Sequence, residues 1–140
     1  MPCRLLLADD HDIVRRNLRE IIESRTDCII VGEAIDGVQA VQLVRELAPD
    51  LAVVDISMPL LNGLDAARQM RKASPRTKIL ILTMHDAGAL IAQIQETGVD
   101  GYVLKSDAPK RLPLAIDSLL HNRTFFDTSG PEEFSRGSVA

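Results

Sequence analysis

The sequence predicts a doubly wound α/β domain built on a five-stranded parallel sheet. Three observations carry this. Five short apolar runs recur along the 140 residues. Stretches with helical apolar periodicity separate them. Several runs are almost unbroken Leu, Ile and Val, the mark of strands covered on both faces rather than on one. Parallel neighbours need crossovers, usually helical and right-handed, so strand-helix repeated five times places helices on both faces of one sheet.

The strand runs are CRLLLA (3–8), CIIVGEA (28–34), LAVVD (51–55), KILILT (78–83) and GYVLK (101–105). The first, third and fourth are the most continuous. The second carries Gly32 and Glu33 and alternates more, which places it at an edge. The first helix is expected over 12–24, with Asp12 as N-cap and Ile13, Val14, Leu18, Ile21 and Ile22 on its apolar face. The second, over 37–47, follows Asp36 and stops near Pro49. The third, over 64–73, follows Asn62-Gly63 and stops near Pro75. The fourth, 87–96, ends before Gly98, a suitable C-terminal glycine, and the fifth, 109–121, has Pro109 in its first turn. After His121 the chain turns rich in Gly, Pro, Ser and charge. Residues 1–121 therefore read as one domain and 122–140 as a linker or tail, with Phe125 and Phe126 expected to pack back.

Composition sets outer limits. A chain of 140 residues fits one domain. It buries roughly two-thirds of its unfolded surface, enough for a core without staples. The net charge is −4 and there is no long basic run, which argues against nucleic-acid binding by these residues. Cys3 and Cys28 lie in apolar strand-like segments without metal-ligand spacing and read as buried thiols rather than a disulfide. The opening MPCRLLLADD is too short in apolar residues for a signal peptide, and nothing approaches a membrane span. The expectation is a soluble cytoplasmic protein with no membrane partner.

Ligands of open parallel sheets bind beyond the carboxyl ends of the strands. Strand 1 ends in Asp9-Asp10, strand 3 in Asp55, strand 4 in Thr83 and strand 5 in Lys105. Three converging carboxylates repel one another, so either one is protonated or a cation joins them. Hard oxygen ligands without Cys or clustered His favour Mg²⁺. With Mg²⁺ and Lys105 the charges of the three acids are balanced. A carboxylate so placed can accept a phosphoryl group, with the metal and cations on the phosphoryl oxygens. Asp55 is the best nucleophile, because its strand is the most central. Asp9 and Asp10 would hold the metal, and Lys105 and Thr83 would meet the phosphoryl oxygens.

The segments ADDH, VVDISMPLLNG, ILTMHD and GYVLKSDA, in this order at strand ends, resemble the receiver domain of bacterial two-component response regulators. The likeness covers about residues 3–121 and is strongest to receivers that precede a LuxR/NarL-type DNA-binding domain. It implies a flavodoxin- and CheY-like sheet with strand order 2-1-3-4-5. It also implies Asp55 as phosphoacceptor, Mg²⁺ on Asp9, Asp10, Asp55 and the Ser57 carbonyl, and Thr83 with Tyr102 as a switch pair. Ser57, Met84 and His85 would tune rates. The resemblance raises a cis Lys105–Ser106 bond, although Ser106 stands where proline often follows the lysine. Met84 likewise stands where many receivers have a small residue. The implied partners are a sensor histidine kinase, a second copy of the chain, and DNA through a domain not present here. The domain would catalyse only its own phosphorylation and dephosphorylation.

Each residue alone has an ordinary reading. Asp9 and Asp10 could cap a helix, Asp55 could be a turn acid, Lys105 a solvated cation and Tyr102 plain sheet packing. His11 and His85 lack an acid placed to orient them and read as rim residues. Two other functions remain open: a phosphate-independent interaction module on the same fold, and a Mg²⁺ phosphohydrolase with an aspartyl intermediate. The second fits less well. Enzymes of the haloacid dehalogenase type resemble D-x-D on strand 1, whereas this chain has adjacent acids and no room for a cap domain.

Overall fold

The computed structural model describes residues 2–84 and 88–126. In chain order these form β1 (Arg4–Ala8), α1 (Asp12–Arg25), β2 (Ile29–Ala34), α2 (Gly37–Leu47), β3 (Leu51–Asp55), α3 (Gly63–Ala73), β4 (Lys78–Thr83), α4 (Gly88–Glu96), β5 (Gly101–Leu104) and α5 (Ala108–Leu120). A single 3-10 turn, Lys105–Asp107, joins β5 to α5. All strand pairs are parallel, in the order β2-β1-β3-β4-β5. The sequence expectation of a doubly wound sheet with that order is met.

Strand alternation divides the apolar side chains between two cores. Leu6, Ala8, Ala52, Val54, Ile79 and Ile81 face α2, α3 and α4. Leu5, Leu7, Leu51, Val53, Leu80 and Leu82 face α1 and α5. Every residue of β3 is buried, as its unbroken apolar run requires. β2 lies at an edge, and its register against β1 slips between Leu5 and Leu6, which skips Val31. The break expected at Gly32 is therefore a bulge one residue earlier, and Gly32 itself pairs with Leu6.

Helix ends follow the sequence with some corrections. Asp36 and Asn62 cap α2 and α3 by accepting from the backbone N–H groups of Gln39 and Asp65. Asp12 is not the N-cap of α1. His11 holds that position without a side-chain bond, and Asp12 lies inside the first turn, paired with Arg15 at 2.8 Å. Ile13 also leaves the expected apolar face: it is 72% exposed, because the buried stripe runs through Val14, Leu18, Ile21 and Ile22. Helix α5 contains Pro113 in its interior. Proline has no N–H for the carbonyl four residues earlier. That carbonyl, of Pro109, accepts instead from the Arg25 guanidinium at 2.7 Å, which ties the end of α1 to the start of α5.

The chain past α5 returns to the sheet. Phe125 bridges Gly101, and the Tyr102 N–H donates to the Phe125 carbonyl at 2.9 Å. A side chain at position 101 would meet that carbonyl at 2.6 Å, so the approach requires glycine. The Phe126 ring packs against Tyr102 with centroids 6.4 Å apart. Both phenylalanines thus pack back as expected. The rest of the expected tail, 127–140, lies outside the described residues.

Candidate functional site

The site lies where the strand order reverses. The chain runs from β1 outward to β2, then crosses to the other side of β1 to lay down β3. Register then delivers the chemistry. Ala8 pairs with Val54, so Asp9 and Asp55 emerge side by side from neighbouring strands. Asp55 pairs with Leu82, one residue before Thr83, and Thr83 pairs with Leu104, one residue before Lys105. Asp9, Asp55 and Thr83 are buried, each at most 1% exposed.

Lys105 joins the two buried acids. Its Nζ lies 3.1 Å from Asp9 Oδ2 and 3.0 Å from Asp55 Oδ2. Asp9 Oδ1 accepts from the His11 N–H at 2.8 Å, and Asp55 Oδ1 from the Ser57 N–H at 3.3 Å. Asp10 Oδ1 lies 3.1 Å from His11 Nδ1. Ligand atoms of Asp9, Asp10, His11 and Asp55 all fall within 4.8 Å of one another.

This is a site with more acid than cation. Burial raises the Asp55 pKa above its ordinary value; Lys105 opposes that rise and the Asp9 charge adds to it. Burial would lower the Lys105 pKa, but Asp55 and Asp9 outweigh it and hold the ammonium above its usual range. Both shifts point the same way: positive charge is wanted here. The hydrogen-bond geometry agrees. Asp9 Oδ2, Asp10 Oδ1 and Asp55 Oδ2 are buried without a well-aligned hydrogen-bond donor, the first and last having only the electrostatic contact of Lys105. Oxygen atoms of this kind fit a small hard cation such as Mg²⁺.

The loop after β3 is fixed by close backbone approach. Gly63 at the start of α3 donates to the Ile56 carbonyl at 2.8 Å. A Cβ at Gly63 would sit 2.4 Å from the Asp55 carbonyl oxygen, so only glycine lets α3 begin this close to the acid. Leu60 takes a left-handed φ of 69° and is exposed, where a glycine would be unstrained. Ser57 is exposed beside the rim and Met58 is buried in the core.

The structure thus brings together Asp9, Asp10, Asp55, Thr83 and Lys105, with the Ser57 backbone adjacent. Tyr102 lies buried on β5, one residue after Gly101. Met84 is 70% exposed beyond Thr83. His85 lies outside the described residues. The Lys105–Ser106 bond is trans, not cis; Lys105 opens the 3-10 turn after extended Leu104, and its ammonium still reaches both acids. The sequence reading missed His11 as part of the cluster and Arg15, whose guanidinium donates to the Asp9 carbonyl at 2.8 Å. Their signal was the ADDH run itself and the helical spacing from His11 to Arg15.

Residues 5–117 match the response regulator receiver domain model. The chain belongs to the response regulator receiver family. This receiver domain is 36% identical over 135 residues to the response regulator UvrY of Escherichia coli (strain K12), covering 96% of this chain and 62% of that protein. It is 37% identical over 125 residues to the oxygen regulatory protein NreC of Staphylococcus epidermidis (strain ATCC 12228 / FDA PCI 1200), covering 89% of this chain and 57% of that protein. The chain therefore spans about three-fifths of the length of these relatives. Among solved structures it resembles a LuxR-family two-component response regulator from Aurantimonas sp. SI85-9A1, with 36% identity, TM-score 0.88 and full coverage of both chains. The isolated receiver domain of RcsB from Salmonella enterica, solved with the phosphomimetic BeF3-, matches with 28% identity, TM-score 0.83 and coverage of 97% and 98%. No helix among the described residues is long and apolar enough to cross a membrane.

Proposed function

We propose that this receiver domain is a phosphorylation-controlled switch whose phosphoacceptor is Asp55. The observation that carries the reading is the Lys105 ammonium lying between the buried carboxylates of Asp55 and Asp9 at the carboxyl end of the central strands. Asp55 attacks the phosphorus of a donor phosphohistidine or acyl phosphate. The Asp55 Oδ–P bond forms as the donor's P–N or P–O bond breaks, and the leaving group departs in line. Lys105 and Thr83 meet the oxygens of the transferred group. Asp9, Asp10, Asp55 and the Ser57 carbonyl would hold Mg²⁺, which when bound offsets charge on those oxygens.

The acceptance of the phosphoryl group and its later hydrolysis are the domain's own chemistry. Thr83 and the buried Tyr102 form the switch pair: drawing Thr83 toward the phosphoryl group fixes the Tyr102 ring inward and resets the face of α4 and β5. Ser57, Met84 and His85 tune the rates at which the phosphoryl group is gained and lost. The partners are a sensor histidine kinase and a second copy of the chain. The output is transcriptional, through a DNA-binding domain reached by the tail after residue 121, in the cytoplasm.

The test is incubation with acetyl phosphate and Mg²⁺, followed by intact-mass measurement. Wild type gains one hydroxylamine-labile phosphoryl group, and Asp55→Ala gains none. Steady release of phosphate from an unrelated phosphomonoester would favour a phosphohydrolase. No mass gain together with no Mg²⁺-dependent thermal shift would leave a phosphate-independent module.

A further inference from the structure

At the opposite end of the sheet, the amino ends of β1 and β2 carry the chain's two cysteines. Ile29 donates to the Cys3 carbonyl at 2.7 Å, and Arg4 pairs with Ile29. One step back along this parallel ladder, Cys3 stands across from Cys28. Neighbouring strands are about 4.8 Å apart, within the Cα separation a disulfide spans. Both side chains point to the same face of the sheet, into the core shared with α1 and α5. Both are free thiols, 9% and 6% exposed. They line the wall of an open cavity of about 860 Å³, into which Arg25, Arg76, Asp27 and Asp50 also project. The Cys28 backbone is fixed by its N–H donating to Thr26 Oγ1 at 3.1 Å.

We propose that Cys3 and Cys28 are a reversible dithiol–disulfide site, oxidised by a low-molecular-weight disulfide entering the cavity. The fold brings the two sulfurs together as strand neighbours, and the cavity gives a reactant access to otherwise buried groups.

The two thiols have distinct parts. The Cys3 thiol supports a thiolate on Cys28, against burial, and lowers the Cys28 pKa to about 7. Cys3 is shifted upward, first by its contact with Cys28 and then by burial. Cys28 is thus the attacking group. Its thiolate attacks one sulfur of the small disulfide. A Cys28 mixed disulfide forms, and the first thiol leaves with the proton Cys28 gave up. Cys3 then loses its proton and attacks the Cys28 sulfur. The Cys3–Cys28 bond forms and the second thiol leaves with that proton. Two protein thiols are oxidised and one small disulfide is reduced to two thiols. An excess of dithiol reverses both steps.

The experiment incubates the folded chain with glutathione disulfide, quenches in acid, and alkylates under denaturing conditions before intact-mass and peptide mapping. Wild type should become two hydrogens lighter, resist alkylation at both cysteines, and yield a linked peptide pair containing Cys3 and Cys28. Dithiothreitol should restore both alkylation sites. Cys3→Ser should stop at a stable glutathione adduct on Cys28, and Cys28→Ser should leave Cys3 unmodified. Circular dichroism confirms that each variant is folded, and the wild-type peptide map decides the matter if either is not. Both cysteines alkylated after treatment, a mixed disulfide that persists on Cys28 in wild type, or only chain-to-chain linkage would each overturn the proposal.

Discussion

Replacing Lys105 by Met removes a cation from between two buried carboxylates while keeping most of the aliphatic stem. The Nζ contacts at 3.1 and 3.0 Å correspond to roughly 5 kcal/mol each at an effective dielectric of about 20. Most of this is offset, because the variant is spared the cost of desolvating the ammonium and the acids shift their ionisation in response. Breaking a buried pair from one side costs about 3 kcal/mol net. In a domain of this size that lowers Tm by roughly 10 °C. The loss should depend on pH in a defined direction. The Asp55 pKa is already raised, so Asp55 adds stability below its unfolded value, 3.8, and loses it as pH rises through its folded value. Without Lys105 that folded value rises further, so the variant should recover stability as pH falls through it. Mg²⁺ should rescue the variant more than wild type, since the metal no longer shares the acids with an ammonium; at about 100 times its Kd it returns roughly 2.7 kcal/mol. Thermal unfolding by circular dichroism, in chelator and then across a Mg²⁺ titration, measures all three. A Tm within a few degrees of wild type, or a deficit indifferent to both acid and Mg²⁺, would refute the reasoning.

Gly63→Ala should destabilise the domain by about 2 kcal/mol in chemical denaturation, since its Cβ would fall 2.4 Å from the Asp55 carbonyl oxygen and neither backbone can yield freely; the same shift should slow phosphorylation by acetyl phosphate. Glu33→Gln should lower Tm by a few degrees at neutral pH and by nothing in strong acid. Arg19, then Arg15 against the opposing effect of burial, hold the Glu33 pKa below its ordinary value, so its stabilisation is present above about 4.5 and disappears as pH falls through the lowered value. Arg25→Ala should cost about 1 kcal/mol by leaving the Pro109 carbonyl to water, and Pro113→Ala should abolish that penalty by restoring the helix's own donor, as a double-mutant cycle would read.

The strand ends were legible because burial on both faces leaves a plain record: an apolar run that stops at a polar residue. That record located Asp9, Asp55, Thr83 and Lys105, and the topology of a doubly wound sheet did the rest. The sequence could not show what depends on backbone geometry across elements. His11 rather than Asp12 caps α1 because the cap is set by the local φ and ψ, and both residue types are compatible with the position. Ile13 looked like core because five apolar residues in one helix cannot all share a narrow stripe, and only packing says which is left out. The bond from Arg25 to Pro109 crosses 84 residues. Cys3 and Cys28 became neighbours only once the register of β1 and β2 was known.

The same geometry explains why β3 suits the acceptor proposed above. A strand laddered on both sides moves only if its neighbours move, and β3 is held by β4 along its full length and by β1 from Leu51 to Val54. Its exit loop is pinned as well: Gly63 donates to Ile56, Leu61 to the Pro59 carbonyl, and Gly37 of α2 reaches the same carbonyl at 3.3 Å. Asp55 therefore has little freedom, which suits a nucleophile that must be placed in line. The opposite holds for the far edge. β5 has four residues, is laddered on one side by β4, and on the other, among the described residues, has only the isolated bridge to Phe125. Thr83 and Lys105 thus connect a fixed acid to the least laddered strand of the sheet. On the proposed function, a charge change at Asp55 is not relieved by moving β3, and the rearrangement falls to β5 and the residues packed on Tyr102. That division between a rigid acceptor and a yielding edge is what a switch of this kind requires.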